Sequence, residues 1–122
     1  RKGDSMNQYD MLETAFRNGF AFGRASRTKD NHPTYAAALE KFGGKMQATV
    51  CVEELSELQK ELCKYIRSGG DPDHIAEEIA DVLITVDQMV QLFDCAEAVA
   101  RWEETKVARL AERCAETEDA NG

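Results

Sequence analysis

Residues 45–67 read KMQATVCVEELSELQKELCKYIR and residues 72–93 read PDHIAEEIADVLITVDQMVQLF, with only SGGD between them. Apolar residues recur every three or four positions in both segments, which is the period of an amphipathic helix. The two glycines of the linker supply a helix stop, and its aspartate followed by Pro72 supplies an N-cap and a first helical position. Because the connection is short, the sequence predicts an antiparallel helical hairpin.

Two pairs of acidic residues face each other across this predicted hairpin. Glu54 and Glu57 lie in the first helix, and Glu78 and Asp81 lie in the second. Residues three apart share one face of a helix, and each pair lies roughly 9–15 Å from the turn at 1.5 Å per residue. Neighbouring carboxylates repel one another, and a hard divalent cation such as Mg²⁺ or Mn²⁺ relieves that repulsion. The pattern therefore predicts a metal site of four carboxylates, although a single acidic pair on a helix is more often a solvated face.

Each predicted helix also carries an apolar stripe, and we expect these stripes to be buried with the acidic pairs at their edges. The stripe of the first helix comprises Cys51, Leu55, Leu58, Leu62 and Ile66, and that of the second comprises Ile75, Ile79, Val82, Val86, Val90 and Phe93.

The rest of the chain is also predicted to be helical, so the expected fold class is all-α in a single domain over residues 1–122. Residues 7–24 have helical spacing, residues 25–33 are expected to form a loop, and residues 34–42 form a short helix. A third long helix is expected over residues 95–114, opened by a capping box at Asp94. The polar tail over residues 116–122 is expected to fray.

Composition narrows the function classes. The chain is 43% hydrophobic and 31% charged, and its net charge of −8 argues against binding to a nucleic acid polymer. No apolar run is long enough to span a membrane, and no signal peptide is visible. The four cysteines form no C-x-x-C pair, so we expect free thiols and a cytoplasmic protein rather than a zinc site.

The acidic motifs resemble a known family. Glu53-Glu54-Leu55-Ser56-Glu57, followed by Glu78-Ile79-Ala80-Asp81, is similar to the E-E-x-x-E and E-x-x-D signature of the MazG-like, all-α nucleoside triphosphate pyrophosphohydrolases. The resemblance extends from about residue 34 to residue 113 and includes a K-x-x-R motif at Lys106 and Arg109. Residues 1–33 form an N-terminal extension outside it.

The resemblance implies a helical bundle assembled as a homodimer or a dimer of dimers. It implies that Glu54, Glu57, Glu78 and Asp81 bind Mg²⁺, with Mn²⁺ able to substitute. The implied reaction splits a (deoxy)nucleoside triphosphate between its α and β phosphates and releases the monophosphate and pyrophosphate. Similarity to the single-domain phage and bacterial members favours a purine deoxynucleotide such as dGTP, for nucleotide-pool control or house-cleaning.

Further residues are candidates for the same chemistry. Four carboxylates carry about −4 charge, enough to hold two or three divalent ions, and Glu57 or Glu61 is a candidate general base. Lys60 and Lys64 are candidate phosphate ligands, as are Lys106 and Arg109, while Gln47 is a candidate nucleotide contact. For each of these lysine and arginine side chains, the alternative to phosphate binding is an ion pair at the protein surface.

Two other readings compete with the hydrolase. A ferritin-like redox protein would use E-x-x-H pairs, and the sequence contains none. A non-enzymatic helical interaction module explains the amphipathic stripes, but it does not explain the matched acidic pairs.

Overall fold

The computed structural model describes the backbone of residues 31–121 and the side chains of residues 31–116. The described chain forms helices without any strand, which confirms the all-α prediction. Helix α1 covers residues 31–42, α2 Gly44–Ser68, α3 Pro72–Leu92 and α4 Ala96–Asn121. The helix predicted over residues 7–24 and most of the following loop lie outside the described residues. Residues 31–33, expected in that loop, are helical.

The connection between α2 and α3 has the chemistry that the sequence predicts. Gly69 ends α2 in the left-handed conformation at φ 93°, and its N–H donates to the Tyr65 carbonyl. Asp71 caps α3 by accepting a hydrogen bond from the Asp73 N–H at 3.0 Å, and Pro72 follows as the first helical residue. Glycine tolerates the positive φ that this turn requires.

Helices α2 and α3 pack against each other as an antiparallel hairpin. At its open end, a Cβ added to Gly44 would lie 2.7 Å from Leu92 Cδ1, so the absence of a side chain there permits the close approach. Gln47, about one turn after Gly44 on α2, donates through Nε2 to Oε1 of Gln88, about one turn before Leu92 on α3, at 2.6 Å. Contacting residues thus have rising numbers along α2 and falling numbers along α3, as in an antiparallel pair.

The most buried side chains between the two helices are mainly polar, and only part of each predicted apolar stripe is covered: Cys51 is buried, and Leu58, Ile75, Val82 and Val90 are half-buried. The inner face includes Gln47, Glu61, Thr85 and Gln88, all of which are buried, together with Cys51. In contrast, Leu62 is 42% exposed and Ile66 is 78% exposed. Residues of the predicted stripes that lie on the outer side of the hairpin are Leu55, Leu62, Ile66, Ile79, Val86 and Phe93.

The junction between α3 and α4 differs from the predicted capping box. Asp94 has a positive φ of 48°, and the Cys95 N–H donates to the Val90 carbonyl at 3.1 Å. The Cys95 carbonyl accepts the first hydrogen bond of α4, from Val99. Asp94 therefore makes the turn rather than the cap, because aspartate is one of the few residues that tolerate the left-handed region.

Helix α4 continues to Asn121, past the end expected at residue 114 and through the segment expected to fray. Residues 115–120 contain neither glycine nor proline, and their alanines and glutamates favour helix. Within the described residues α4 contacts α3 but not α2. Its Trp102, Val107 and Leu110 side chains are exposed.

All four cysteines are free thiols, as expected. In the described part of the chain, no helix combines the length and apolarity needed to cross a bilayer.

Candidate metal centre

Three of the four predicted metal ligands come together between α2 and α3. Glu54 from α2 and Glu78 and Asp81 from α3 each offer a carboxylate oxygen, and these oxygens all lie within 4.8 Å of one another. All three side chains are half-buried. Gln47 and Gln88 are hydrogen-bonded to each other. Glu54 lies two turns beyond Gln47 on α2 and Asp81 lies two turns before Gln88 on α3, so the antiparallel hairpin brings Glu54 and Asp81 together.

Burial and mutual repulsion disfavour the charged forms of two of these carboxylates. Partial desolvation raises the pKa of Glu54 above its ordinary value, and the charges of Asp81 and Glu78 raise it further. Desolvation likewise raises the pKa of Glu78, with further contributions from Asp81 and Glu57. A cation among the three groups would reverse both effects, because an opposite charge favours ionisation.

One oxygen of the cluster lacks a partner. Glu78 Oε2 is shielded from solvent and accepts no hydrogen bond from the residues that the structure describes. A buried carboxylate oxygen without a donor is costly, and a metal ion would supply the missing interaction. The cluster therefore fits a hard divalent cation such as Mg²⁺ in both ligand chemistry and charge.

Glu57, the fourth predicted ligand, lies at the edge of this cluster rather than in it. Its side chain is exposed and it does not join the three converging oxygens. Its charge nevertheless contributes to the raised pKa of both Glu54 and Glu78. Glu57 is one turn from Glu54 on α2, and its side chain is exposed to solvent.

The candidate base Glu61 and the candidate phosphate ligand Lys64 contact each other. Lys64 Nζ lies 2.9 Å from Glu61 Oε1 in an ion pair three residues apart on α2. The Glu61 residue is only 6% exposed, whereas Lys64 remains half-exposed. Lys60 is exposed on the same helix. Lys64 is therefore paired with Glu61 in the structure, whereas Lys60 faces solvent.

The candidate nucleotide contact Gln47 is buried against Gln88, a residue of the predicted acidic flank to which sequence reasoning assigned no role. Gln88 is 5% exposed and accepts the hydrogen bond from Gln47. Thr85, also buried, donates to the carbonyls of Asp81 and Val82 within its own helix. The signal for Gln88 was present in the sequence, because it lies seven residues after Asp81 just as Gln47 lies seven before Glu54.

The predicted phosphate pair on α4 is not brought to the acidic cluster within one chain. Lys106 Nζ lies over the Trp102 ring, 5.6 Å from its centroid, in a cation–π contact. Arg109 is exposed and lines a hollow of α4 with Lys106, Glu112 and Arg113. Because α4 does not contact α2 in the described residues, these two cations are separated from Glu54.

Comparisons with known proteins add no relative: no family model matches the chain, and neither a curated protein nor a solved structure matches it significantly. The MazG-like resemblance thus rests on the motifs themselves.

The raised pKa values predict how the metal-free protein responds to pH. Glu54 and Glu78 bind protons more tightly when folded than when unfolded, so their contribution to stability is greatest at low pH and is lost as pH rises through the folded-state pKa. In EDTA, the free energy of unfolding should therefore increase as pH falls from neutral toward the ordinary glutamate range. Urea unfolding followed by circular dichroism at several pH values measures this.

The matched variants for this experiment are Glu78→Gln and Glu53→Gln. The first should stabilise the metal-free protein at neutral pH and flatten its pH dependence, because it removes a repelled charge. The second removes an exposed charge from the same turn as Glu54 and should change the slope much less. Equal slopes in wild type and Glu78→Gln would contradict the proposed repulsion.

Proposed function

We propose that this protein is a metal-dependent nucleoside triphosphate pyrophosphohydrolase of the MazG-like type. The observation that carries the proposal is the convergence of Glu54, Glu78 and Asp81 within 4.8 Å at half-buried positions. Phosphate chemistry is the main use of oxygen-ligated Mg²⁺ held by a few carboxylates. The spacing of the same residues is what resembles the family motif, so the two arguments concern the same site.

In this proposal Glu54, Glu78 and Asp81 hold Mg²⁺ or Mn²⁺, with Glu57 as the fourth carboxylate. When bound there, two or three such ions would supply neutralisation of the triphosphate charge and a lowered pKa for a water molecule. The water oxygen forms a bond to phosphorus, the bond to the bridging oxygen between the α and β phosphates breaks, and the products are the monophosphate and pyrophosphate. The water's protons pass to the surroundings through a carboxylate base.

Of the two base candidates, Glu57 is the better supported. The Glu61 carboxylate is buried and already accepts a hydrogen bond from Lys64, so it is engaged within α2. Glu57 is exposed to solvent one turn from Glu54 and acts electrostatically on the cluster. Glu57 acts either as a metal ligand or as the general base. In both cases its substitution should abolish turnover.

The phosphates also need cations from the protein. On α2, Lys60 is exposed and Lys64 half-exposed, and we propose that both face the triphosphate. The chain alone does not join Lys106 and Arg109 to the acidic cluster, so their phosphate contact requires a second copy whose α4 lies near it. The substrate is a (deoxy)nucleoside triphosphate, and a purine deoxynucleotide such as dGTP is the first to test for nucleotide-pool control or house-cleaning.

A homodimer or dimer of dimers follows from the uncovered apolar face of the hairpin. Leu55 on α2 and Ile79 on α3 are 46% and 42% exposed, and Ile66 is more exposed still. Monomeric proteins seldom expose a contiguous apolar face of this kind. A second copy covering the outer side of α2 and α3 would bury these side chains while the acidic cluster stays on the inner side.

The same exposed face supports the second candidate function, a non-enzymatic helical interaction module. Such a module does not need a bound cation, so Mg²⁺ and Mn²⁺ should leave its melting temperature unchanged. The hydrolase should be stabilised by either ion through mass action, by about 2.7 kcal/mol at a hundredfold excess over the dissociation constant. Differential scanning fluorimetry with Mn²⁺, Mg²⁺ and EDTA separates the two functions.

Substitution of the cluster predicts loss of hydrolysis. Asp81→Asn and Glu57→Gln should each reduce metal-dependent pyrophosphate release by at least about 100-fold, since even residues that only orient metal ligands typically cost 10–100-fold. Circular dichroism should show the helices intact. Pyrophosphate release from canonical (d)NTPs, with Mg²⁺, Mn²⁺ or EDTA, is the measurement.

Glu53→Gln is the control, because it removes an equal charge from an exposed position beside Glu54 and should retain activity within about twofold of wild type. Full activity in Asp81→Asn would contradict the metal site. No pyrophosphate from any triphosphate, with any metal, would leave the interaction module as the better account.

Placing charges on the outer face of the hairpin should break the oligomer. The double variant Leu62→Glu/Ile66→Glu should lower the mass measured by light scattering to that of a smaller species, because two buried charges without partners destabilise an interface. Glu53→Lys is the control, because it changes the charge of an exposed side chain about 160° around α2 from Leu62 and Ile66. An unchanged mass in the double variant would show that another surface joins the copies.

A further inference from the structure

A second uncovered surface lies apart from the acidic cluster, in the angle between α3 and α4. An open groove of about 570 Å³ has a floor that includes Val90 of α3 and Val99 and Val107 of α4. Three acidic residues also line it, namely Asp87, Glu103 and Glu104. An apolar floor with an acidic border suits a segment that is both apolar and basic.

The groove continues along α4 as an apolar strip. A shallower hollow of about 450 Å³ includes Val99, Trp102 and Leu110. Trp102 is 60% exposed there and Leu110 is 51% exposed. We define the groove and this strip together as the α4 surface.

We propose that the chain's own N-terminal segment, residues 9–20, docks on the α4 surface, with residues 21–30 as its connection to α1. The proposal uses none of the metal-binding residues, although Lys106, which the proposed function assigns to phosphate contact, also lines the strip. Three observations support it: the place where the described chain begins, the length of the two apolar stripes, and the charge of the connection.

The described chain begins beside the groove. The carbonyl of His32, near the start of α1, accepts a hydrogen bond from Gln91 Nε2 of α3 at 3.1 Å. His32 also lines a small cavity of about 120 Å³ together with Asp87, Val90 and Ala96, three residues that line the groove as well. The residues that precede His32 therefore start next to the groove. Because they are covalently attached there, their effective concentration at the groove is high.

The apolar stripes match in length. Tyr9, Leu12, Phe16 and Phe20 recur at helical spacing over eleven positions. On α4, the distance from Val99 to Leu110 is also eleven positions, and each stripe is about 17 Å long at 1.5 Å per residue. Residues 21–30 form a connection that spans up to about 33 Å when extended, which is enough to lay one stripe along the other.

The connection, rather than the apolar stripe, carries the complementary charge, because residues 9–20 themselves hold Asp10, Glu13 and Arg17. From Arg17 to Lys29 the chain carries four basic residues and no acidic one, whereas residues 31–122 carry nine basic against nineteen acidic residues. The most basic stretch of the chain is thus the stretch that adjoins an acidic groove. Electrostatic attraction of this kind weakens with salt, so docking should loosen at high ionic strength.

Trp102 is the only tryptophan of the chain, so its fluorescence reports the α4 surface in the full-length protein. Leu12→Ser/Phe16→Ser should shift Trp102 emission to longer wavelength and increase its quenching by acrylamide, because docking is lost and the ring becomes more exposed. Asn18→Ser, on the opposite side of the predicted stripe, is the control and should leave both unchanged. Light scattering should give the same mass for all three proteins.

Two results would overturn the proposal. One is unchanged emission in Leu12→Ser/Phe16→Ser, together with a shift in wild type on dilution to a lower mass, which would show that a second copy covers α4. The other is wild-type emission and quenching typical of a fully exposed indole.

Limited trypsin digestion of wild type tests docking without relying on a variant's folding. Cleavage after Arg17 should be about tenfold slower than cleavage after Arg24 or Arg27 in the connection, because a docked segment is cut only when it opens. The difference should shrink at high salt. Equal rates at all three sites at low salt would contradict docking.

Discussion

The repulsion among Glu54, Glu78 and Asp81 is the constraint around which this structure is arranged. Three carboxylates with oxygens within 4.8 Å of one another are unfavourable when all are ionised. The fold holds them together at half-buried positions and leaves Glu78 Oε2 without a hydrogen-bond donor among the described residues. Unfavourable arrangements of this kind are common at functional sites. The proposed divalent cation would relieve the repulsion.

Holding the acidic residues between the helices determines which side of the hairpin faces inward. The inner face carries the Gln47–Gln88 hydrogen bond and the Glu61–Lys64 ion pair. A polar interface of this kind contributes less to stability than apolar packing, but its hydrogen bonds fix the register of the two helices. Six of the eleven residues of the predicted apolar stripes then lie on the outer face, where Ile66 is 78% exposed. The acidic cluster and the exposed apolar face therefore have one origin.

The polar interface also limits what one chain can do alone. Lys106 and Arg109 are on a helix that does not contact α2 in the described residues. A second copy on the outer face of the hairpin and the N-terminal segment on the α4 surface would cover two different apolar regions. With both in place, the helices that project from the hairpin would become parts of a packed assembly rather than isolated elements.

Much of this structure could be predicted from the sequence because it depends on local chemistry. The two glycines, Asp71 and Pro72 predict the turn, and the spacing of the acidic residues predicts that Glu54 and Glu78 meet. The inward face could not be predicted in the same way, because helical periodicity identifies an apolar stripe without identifying what covers it. The same ambiguity explains Glu57, which shares a turn with Glu54 but points to solvent. The hydrogen bond of Gln88 was not predicted because it depends on a partner forty-one positions away.

The measurement that tests the metal site most directly is an anomalous difference map from crystals of the full chain grown or soaked with Mn²⁺. We predict a peak bounded by the carboxylates of Glu54, Glu78 and Asp81, and its loss in Glu78→Gln crystals treated in the same way. Crystals that show no Mn²⁺ peak at these carboxylates, in wild type at saturating metal, would contradict the account.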